Sequence, residues 1–386
     1  MKMDPRISIT GYIGHNNVGD EAMLASLAQT LKDSGVTKIT ISSASPLAMS
    51  DVEVVPEIPG SLRGLFSAIW HGRFNSIVRT LRQSNLLVVA GGTILTGTNI
   101  GVLYFWLFRC ILARLLGCRI LLLGVGVDNL DHLHAGLLAN LLLTLVDGCS
   151  IRDAGGWEKV HALALGKKAL LSGDLSLAGE TFVQQKQKNH PKKVGFFIPC
   201  LSQEKANGKF REATRAFRLT MANFASWLQE QGYEVVLCSC QSPCDEQEAR
   251  QIANWMPHPA DTMQISGRGQ AEVLRLIGNF NCIVAMRYHA VLFAAMAAVP
   301  FISIEYCEKV TNLVKELEHQ DYSLKYAIWH EKECPLTTQA LVDRFTKLTA
   351  NQPSVLERVA RNLAVLHARQ KVNEELLSAL LHTRPK

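Results

Sequence analysis

The side chains best suited to chemistry in this sequence follow two short apolar runs. The first run reads CIVA and continues into Met-Arg-Tyr-His, which contains Arg287 and His289. The second run reads FISI and continues into Glu-Tyr-Cys-Glu-Lys, which contains Glu305 and Lys309. A histidine titrates near neutral pH and can transfer a proton, while arginine and lysine hold anions. The four residues therefore predict acid–base chemistry on an anionic ligand.

Both apolar runs have the length and composition of buried parallel strands. The segment after His289, AVLFAAMAA, fits a tightly packed helix that stops before Pro300. Ligands of open α/β sheets bind beyond the carboxyl ends of the strands, so we expect the four side chains to share one rim. A lone histidine at a helix start is more often a cap or a satisfied core group. The prediction rests on the four residues together.

Length and composition define the class of protein. The chain has 386 residues, of which 48% are hydrophobic and 19% charged, enough for two domains with their own cores. The net charge of +6 suits an anionic small substrate or a membrane surface. No block of Lys and Arg with interleaved aromatics is present, so we expect no nucleic-acid partner.

The longest apolar segment, 102–127, is interrupted by Arg109, Arg114 and Arg119, so no membrane-spanning helix is expected. We interpret it as a buried helix followed by a parallel strand. The alternative is that its aromatic start, LYFWLF, contacts a membrane interface.

Ten cysteines lie mainly in apolar runs, and the N-terminus leads directly into a strand pattern. We therefore expect free thiols in a reducing cytoplasm. Cys238, Cys240 and Cys244 also fit half of a metal knuckle, but no second pair completes four ligands, so no metal is expected.

Strand and helix patterns alternate along the chain, which predicts α/β domains with doubly wound parallel sheets. The expected domains are 1–185 and 193–350, followed by a C-terminal helix, 351–386, that packs back onto them. The polar segment QQKQKNHPKK, residues 184–193, is the predicted linker. We also predict one helix over 62–83 and a turn at 124–126.

Three further segments place polar groups or glycines at strand ends. The loop GYIGHNNVGD contains Asn17, Gly19 and Asp20, where glycines let backbone N–H groups approach a ligand. Gly92 lies in a Gly-Gly-Thr turn, and Arg152 closes the strand pattern of SIRD. Anion binding by Arg152 and a structural salt bridge or cap at Arg152-Asp153 are equally good readings.

Taken in order, GYIGHNNVGDEAML, VVAGGTIL, SIRD with SGDLSL, and MRYHAVLFAAMAAVPFISIEYCEKV resemble the polysaccharide pyruvyl transferase family. The likeness extends from about Gly11 to Leu317, and the first and last of these motifs are the specific ones. It implies a GT-B-like fold in which two doubly wound Rossmann-like domains face a cleft. Two positions depart from the family pattern: Ala90 stands where a third glycine is usual, and Gly97 where an acidic residue is expected.

The resemblance implies that the pyruvyl group of phosphoenolpyruvate is transferred to a sugar of a cell-surface polysaccharide or its precursor, forming a ketal. By this resemblance His289 is the general acid, and Arg152 and Lys309 hold the donor anion. Arg287 is a further candidate cation, and Glu305 or Asp20 a candidate base. The resemblance also assigns the N-terminal turn with Asn17 and Gly19 to the site, and we add Gly92 as a substrate contact.

No cofactor is expected, because phosphoenolpyruvate is itself the donor and no step needs redox chemistry or a metal. The expected partners are this donor and a sugar acceptor, which a lipid-linked oligosaccharide would supply at the inner face of the membrane. Two alternatives remain: a GT-B glycosyltransferase that uses a nucleotide sugar, and a silent member that only binds glycan or protein.

Overall fold

The computed structural model describes residues 5–47, 49, 51–179, 192–201, 208–326 and 336–381, with backbone alone for 208–210. The chain divides into two compact units. Unit 1 comprises 1–15, 20–179 and 366–386, and unit 2 comprises 16–19 and 180–365. The second unit thus includes four residues from near the start of the chain.

Unit 1 contains a parallel sheet of eight described strands. They are β1 (Arg6–Thr10), β2 (Lys38–Ser43), β3 (Glu53–Pro56), β4 (Leu86–Ala90), β5 (Thr93–Thr96), β6 (Arg119–Asp128), β7 (Gly148–Ile151) and β8 (Leu170–Leu171). Their order is β3-β2-β1-β4-β6-β7-β8, with β5 beside β6. The helices between them are α1 (Val18–Asp33), α2 (Leu62–Trp70), α3 (Phe74–Gln83), α4 (Ile100–Leu115), α5 (Leu133–Leu145) and α6 (Ala154–His161).

The sheet of unit 1 is buried on both faces, as expected of a parallel sheet. Successive residues of β4 point to opposite sides. Leu87 and Val89 join one core with residues of α2 to α6. Leu86 and Val88 join a second core with α1 and the C-terminal helix. This double burial explains why the strand is apolar throughout.

Unit 2 repeats the architecture with six described strands, all parallel. They are β9 (Lys193–Phe197), β10 (Glu234–Ser239), β11 (Asp261–Gln264), β12 (Cys282–Ala285), β13 (Phe301–Glu305) and β14 (Ser323–Lys325). Their order is β11-β10-β9-β12-β13-β14. The helices are α7 (Gly208–Glu230), α8 (Cys244–Ala253), α9 (Gln270–Gly278), α10 (Tyr288–Met296), α11 (Glu308–Glu316) and α12 (Thr338–Ala350).

The last helix, α13 (Gln352–Leu381), belongs to unit 2 up to residue 365 and to unit 1 from residue 366. Within unit 1 it is anchored by the buried side chain of Asn373. The Asn373 amide donates to the carbonyl of Gly173 at 2.8 Å, and its oxygen accepts from the Ser150 hydroxyl at 2.6 Å. A side chain at Gly173 would collide with the α13 backbone, since its Cβ would lie 2.6 Å from the Leu366 carbonyl oxygen.

Some sequence predictions need correction. The single helix expected over 62–83 is two helices, because the chain turns at Gly72, where φ is +69°. The turn expected at 124–126 lies inside β6, which continues past Gly124 to Asp128. Residues 184–191 of the predicted linker lie outside the described residues, and the predicted domain boundaries stay a prediction.

The interpretation of 102–127 as a buried helix and strand is confirmed. Leu103, Trp106 and Leu107 of α4 are buried. Arg109 is buried too, and its guanidinium pairs with Glu57 at 2.7 Å. The aromatic start of α4 is therefore mainly core. Among the described helices, none combines the length and apolarity needed to cross a membrane.

Burial of His319 predicts a loss of stability in mild acid. Its ring is inaccessible to solvent, and its Nε2 lies 2.7 Å from the Phe301 carbonyl oxygen. Burial lowers the pKa of His319 to about 4, so the unfolded chain takes up a proton first as the pH falls from 6.5. The contribution of His319 to the free energy of unfolding is fully present above pH 6.5 and is lost as the pH falls towards 4. Linkage gives a loss of about 2 kcal/mol at pH 5.

Urea unfolding at pH 7.5 and pH 5 measures this loss as the difference between the wild type and His319→Gln. The wild type should lose about 2 kcal/mol more than the variant. Equal losses in the two proteins would contradict the assignment.

Candidate active site

The rim of the unit 2 sheet carries the residues that the sequence singled out first. Strands β12 and β13 are parallel neighbours, with Ala285 opposite Ser303. Arg287 lies at the N-cap position of α10, and His289 is in the first turn of that helix. Glu305 ends β13, and Lys309 is in the first turn of α11. The predicted strand ends therefore lie at the same edge of the sheet.

His289 packs directly against Gly19, although the two residues are far apart in the sequence. A Cβ atom at Gly19 would lie 1.8 Å from Nδ1 of the histidine ring, so no other residue type fits without movement. Gly19 is therefore required by close approach. The two most family-specific motifs, the N-terminal turn and the Met-Arg-Tyr-His segment, thus meet within unit 2.

Backbone hydrogen bonds hold the 16–19 loop in this position. The N–H of Val18 donates to the carbonyl of Cys240 at 3.0 Å, and the carbonyl of Asn16 accepts from the N–H of Ser242 at 3.3 Å. Asn17 forms an isolated antiparallel bridge with Gln241. The Asn17 side chain also accepts from the N–H of Gly19 at 3.1 Å, which fixes the turn locally. Asn17 therefore shapes the loop.

A buried carboxylate, Asp245 in the first turn of α8, organises the rim. Its Oδ1 accepts from the N–H of Cys200 at 3.0 Å. Its Oδ2 accepts from the N–H groups of Cys240 and Gln241 at 3.2 and 3.0 Å. The loops that follow β9 and β10 are thus tied to one side chain. The sequence analysis did not identify Asp245 as a site residue.

Arg287 pairs with the same carboxylate. Its Nε donates to Oδ2 of Asp245 at 3.1 Å, and its Nη2 contacts Oδ1 of Asp245 and Oε1 of Gln241, the latter at 3.2 Å. Burial opposes the charge of Arg287, but the Asp245 carboxylate prevails and raises its pKa above the ordinary value. Arg287 is therefore a permanent cation that also holds the start of α10.

Glu248, one turn further along α8, makes a second buried ion pair. Arg218 meets both of its oxygens, at 2.7 and 2.8 Å, and the N–H of Leu201 donates to it at 3.2 Å. The hydrogen bonds to Glu248 raise the pKa of Arg218. Helix α8 is thereby fixed to the loop after β9 through two acidic residues one turn apart, Asp245 and Glu248.

The candidate base Glu305 has a structural contact. It is buried, and Oε1 accepts a short hydrogen bond from the hydroxyl of Ser323 in the adjacent strand β14. Lys309 is half-buried near the start of α11. The roles of both residues stay predictions.

Arg152 lies in unit 1, where it joins two of the family-like motifs. Its Nη1 donates to Oδ2 of Asp174 at 3.0 Å, and both side chains are buried. The N-terminal turn of α6 is capped by Asp153, which accepts from the N–H of Gly156 at 2.8 Å. Arg152 therefore pairs with the aspartate of SGDLSL, while its neighbour Asp153 caps α6.

The remaining predicted site residues also belong to unit 1. Asp20 is in the first turn of α1. Gly92 follows β4 with φ at +72°, and its carbonyl accepts from the N–H of Gly126 at 2.7 Å. A Cβ at Gly97 would lie 1.9 Å from the carbonyl oxygen of Asn129. The glycine at this family-atypical position is thus required by the local backbone.

The nine described cysteines are all free thiols, as expected. Cys238 and Cys240 are buried, and Cys244 is half-buried. Among the residues that the structure describes, no three His, Cys, Asp or Glu side chains are grouped as a metal site requires.

Similar solved structures define the fold class of this chain as GT-B-like, as the sequence predicted. S. aureus MnaA in complex with UDP aligns at a TM-score of 0.62 with 10% identity, covering 96% of this chain and 95% of that one. Neisseria meningitidis UDP-GlcNAc 2-epimerase bound to UDP-GlcNAc aligns at 0.60 with 12% identity, covering 97% and 99%. A UDP-forming α,α-trehalose-phosphate synthase from Burkholderia xenovorans aligns at 0.56 with 9% identity, covering 99% and 100%.

The sequence profile of the polysaccharide pyruvyl transferase family matches residues 17–308, and the chain belongs to this family. The resemblance drawn from the motifs is thereby confirmed. The matched range includes both the 16–19 loop from Asn17 onwards and the Met-Arg-Tyr-His segment. No curated protein sequence matches the chain.

The contact between Gly19 and His289 predicts a strong effect of the smallest substitution. In Gly19→Ala the new methyl group must displace either the loop or the imidazole ring, which should cost about 1–3 kcal/mol of unfolding free energy. NMR signals of the His289 ring should shift as well.

The matched control is Gly269→Ala, because a Cβ at Gly269 meets nothing within 4 Å. Its stability should stay within about 0.5 kcal/mol of the wild type. If Gly19→Ala were as silent as this control in both measurements, the described packing would be wrong.

Proposed function

We propose that this pyruvyl transferase uses phosphoenolpyruvate as donor and forms a pyruvate ketal on a sugar of a polysaccharide or its precursor. The observation that carries the proposal is the packing of His289 against Gly19, because it joins the two most specific motifs of the family at the rim of a parallel sheet. Family membership supports the reaction class.

The chemistry requires a proton donor. Phosphoenolpyruvate is an enol ester of phosphate, and protonation of its methylene carbon makes C2 an oxocarbenium-like centre that a sugar hydroxyl attacks. His289 is our proposed general acid. A base, for which Glu305 and Asp20 are the candidates, takes the proton of the attacking hydroxyl. A second hydroxyl then displaces phosphate from C2 and closes the ketal, and its proton is taken up by the departing phosphate.

The donor carries a carboxylate and a phosphate, so cations must hold it. We propose Arg152 and Lys309 for this role, with Arg287 as a third cation. Asn17, Gly19 and Gly92 are proposed substrate contacts. The buried pairs with Asp174 and Asp245 support the proposal, because they fix the two guanidinium groups before the donor arrives.

We further propose that the acceptor is lipid-linked, that transfer takes place on the cytoplasmic side of the membrane, and that the protein contacts the membrane peripherally. A polysaccharide precursor attached to a lipid carrier stays at the bilayer surface, so the enzyme has to reach it there.

A nucleotide-sugar glycosyltransferase is the second candidate function. The observation that favours it is that three similar structures are described as UDP-bound, UDP-GlcNAc-bound or UDP-forming. Their identity to this chain is at most 12%, which supports a shared fold and no shared ligand.

Thermal unfolding with candidate donors separates the two functions. Phosphoenolpyruvate should raise the midpoint, whereas UDP and GDP should not, because a ligand stabilises only the fold that binds it. The variant Lys309→Gln should weaken the response, and Lys315→Gln, an exposed lysine of the same helix, is the matched control. A response to UDP or GDP alone would replace the proposal with the glycosyltransferase reading.

A substitution at His289 tests the catalytic step. His289→Asn should lower kcat for pyruvyl transfer by at least about 100-fold, because the general acid is lost, while thermal stabilisation by phosphoenolpyruvate persists. Transfer of label from ¹³C-phosphoenolpyruvate to glycan measures the rate. The control is His258→Asn, at an exposed histidine of unit 2. If the His289→Asn protein folded and its rate of pyruvyl transfer were undiminished, His289 would not be the general acid.

A further inference from the structure

Helix α2 of unit 1 exposes its apolar side chains. Leu62, Phe66, Ile69 and Trp70 recur at helical spacing on one face, and all are exposed, Phe66 by 70% and Trp70 by 87%. A single exposed apolar residue is ordinary, but a helix that turns four large ones to solvent marks an interaction site.

Two further helices that pack on the same core, α4 and α5, also expose apolar side chains. On α4 the exposed residues are Tyr104, Ile111 and Leu115, and on α5 they are Leu133, Leu137 and Leu141. Helices α4 and α5 touch each other, since the Tyr104 hydroxyl lies 2.8 Å from Nε2 of His134. We name the ten exposed side chains of α2, α4 and α5 the apolar face.

The apolar face lies on one side of the unit 1 sheet. The inner residues of the three helices, Ala68 of α2, Trp106 of α4 and Ala139 of α5, belong to the same core cluster. The side chains that these helices expose are therefore on the outer surface of a single layer.

The stretch of chain that carries α2 and α4 has charges of one sign. Residues 58–127 contain seven arginines and no Asp or Glu. Arg109 and Arg114 pair with Glu57 and Asp147, which lie outside this stretch. Four arginines of the α2 and α3 region are exposed: Arg63, Arg73, Arg79 and Arg82. The partner of this surface should therefore be both apolar and anionic.

We propose that the apolar face docks onto the surface of an anionic lipid bilayer, with α2 lying in the interface. An amphipathic helix with aromatic side chains on one face and arginines beside it is suited to the boundary between headgroups and acyl chains. Tryptophan is favoured at that depth because its ring is both apolar and polar. A second copy of this chain fits less well, because a two-fold contact would bring the exposed arginines together.

The inference rests on the proposed function only for the reason to be at a membrane, where a lipid-linked acceptor resides. Docking itself is measured on the full chain without donor or acceptor. Failure to dock and failure to transfer pyruvate are therefore separate results.

Cosedimentation with vesicles tests the proposal. The chain should bind vesicles of phosphatidylcholine and phosphatidylglycerol in a 7:3 ratio, and bind pure phosphatidylcholine at least about tenfold more weakly. The double variant Phe66→Ser/Trp70→Ser should lower the partition coefficient at least about tenfold, because both apolar insertions are lost. Its matched control is Leu219→Ser/Trp255→Ser, two exposed apolar residues of unit 2.

A variant that removes arginine charges tests whether the anionic lipid headgroups are recognised. Arg63→Gln/Arg73→Gln should weaken binding about fivefold per arginine, and added salt should reduce the difference. The control is Arg250→Gln/Arg275→Gln, at exposed arginines of unit 2. Circular dichroism and the thermal midpoint should match the wild type in all four double variants, since every changed residue is exposed.

Three outcomes would overturn the proposal. One is equal binding to anionic and neutral vesicles, and another is an equal loss in the control variants. The third is that the chain does not bind vesicles at all. This outcome counts whether or not sedimentation shows that the mass of the chain in solution rises with its concentration. If it rises and Phe66→Ser/Trp70→Ser abolishes the rise, the apolar face is a contact between copies of the chain.

Discussion

The hydrogen-bonded ion pair of Asp245 with Arg287 is the interaction on which the candidate site depends. One buried carboxylate accepts three backbone N–H groups from the loops after β9 and β10 and holds the arginine that begins α10. The loop after β10 in turn carries the 16–19 loop, whose Gly19 contacts His289. Removing one partner of such a buried pair typically costs about 3–5 kcal/mol, so loss of Asp245 would disturb every residue of this chain of contacts.

Much of the fold could be read from the sequence because its signals are local. The strands β12 and β13 and the helix α10 occur where the apolar runs CIVA, FISI and AVLFAAMAA predicted them, since all three elements are buried. Short strands such as β3 and β14 were not predicted, because pairing with a neighbouring strand distant in sequence defines them. Asp245 was missed for the same reason: its partner Arg287 is 42 positions away. His289 was predicted as a site residue because its motif is local in the sequence. Its contact with Gly19 was not predicted, because the two residues are far apart in the sequence.

The paired arginines have a consequence for how an anion could bind. A guanidinium has five donors, and Asp245 with Gln241 engages only the Nε and Nη2 side of Arg287. An anion can therefore approach Arg287 while the pair persists. The carboxylate keeps the cation oriented and removes the entropy loss that an exposed arginine would suffer on binding. Asp174 orients Arg152 in the same way, so under the proposed function both ion pairs would hold a cation ready for the donor.

The excess of arginine in residues 58–127 is not a requirement of the fold. Arg63, Arg73, Arg79 and Arg82 are exposed on or beside short helices, where acidic residues one turn away would normally add stabilising pairs of opposite charge. Such pairs are absent from residues 58–127, which contain no acid at all. Glutamates at these positions would be compatible with folding, but they would repel a negatively charged partner. The proposed docking onto an anionic bilayer would account for both the arginines and the exposed Trp70.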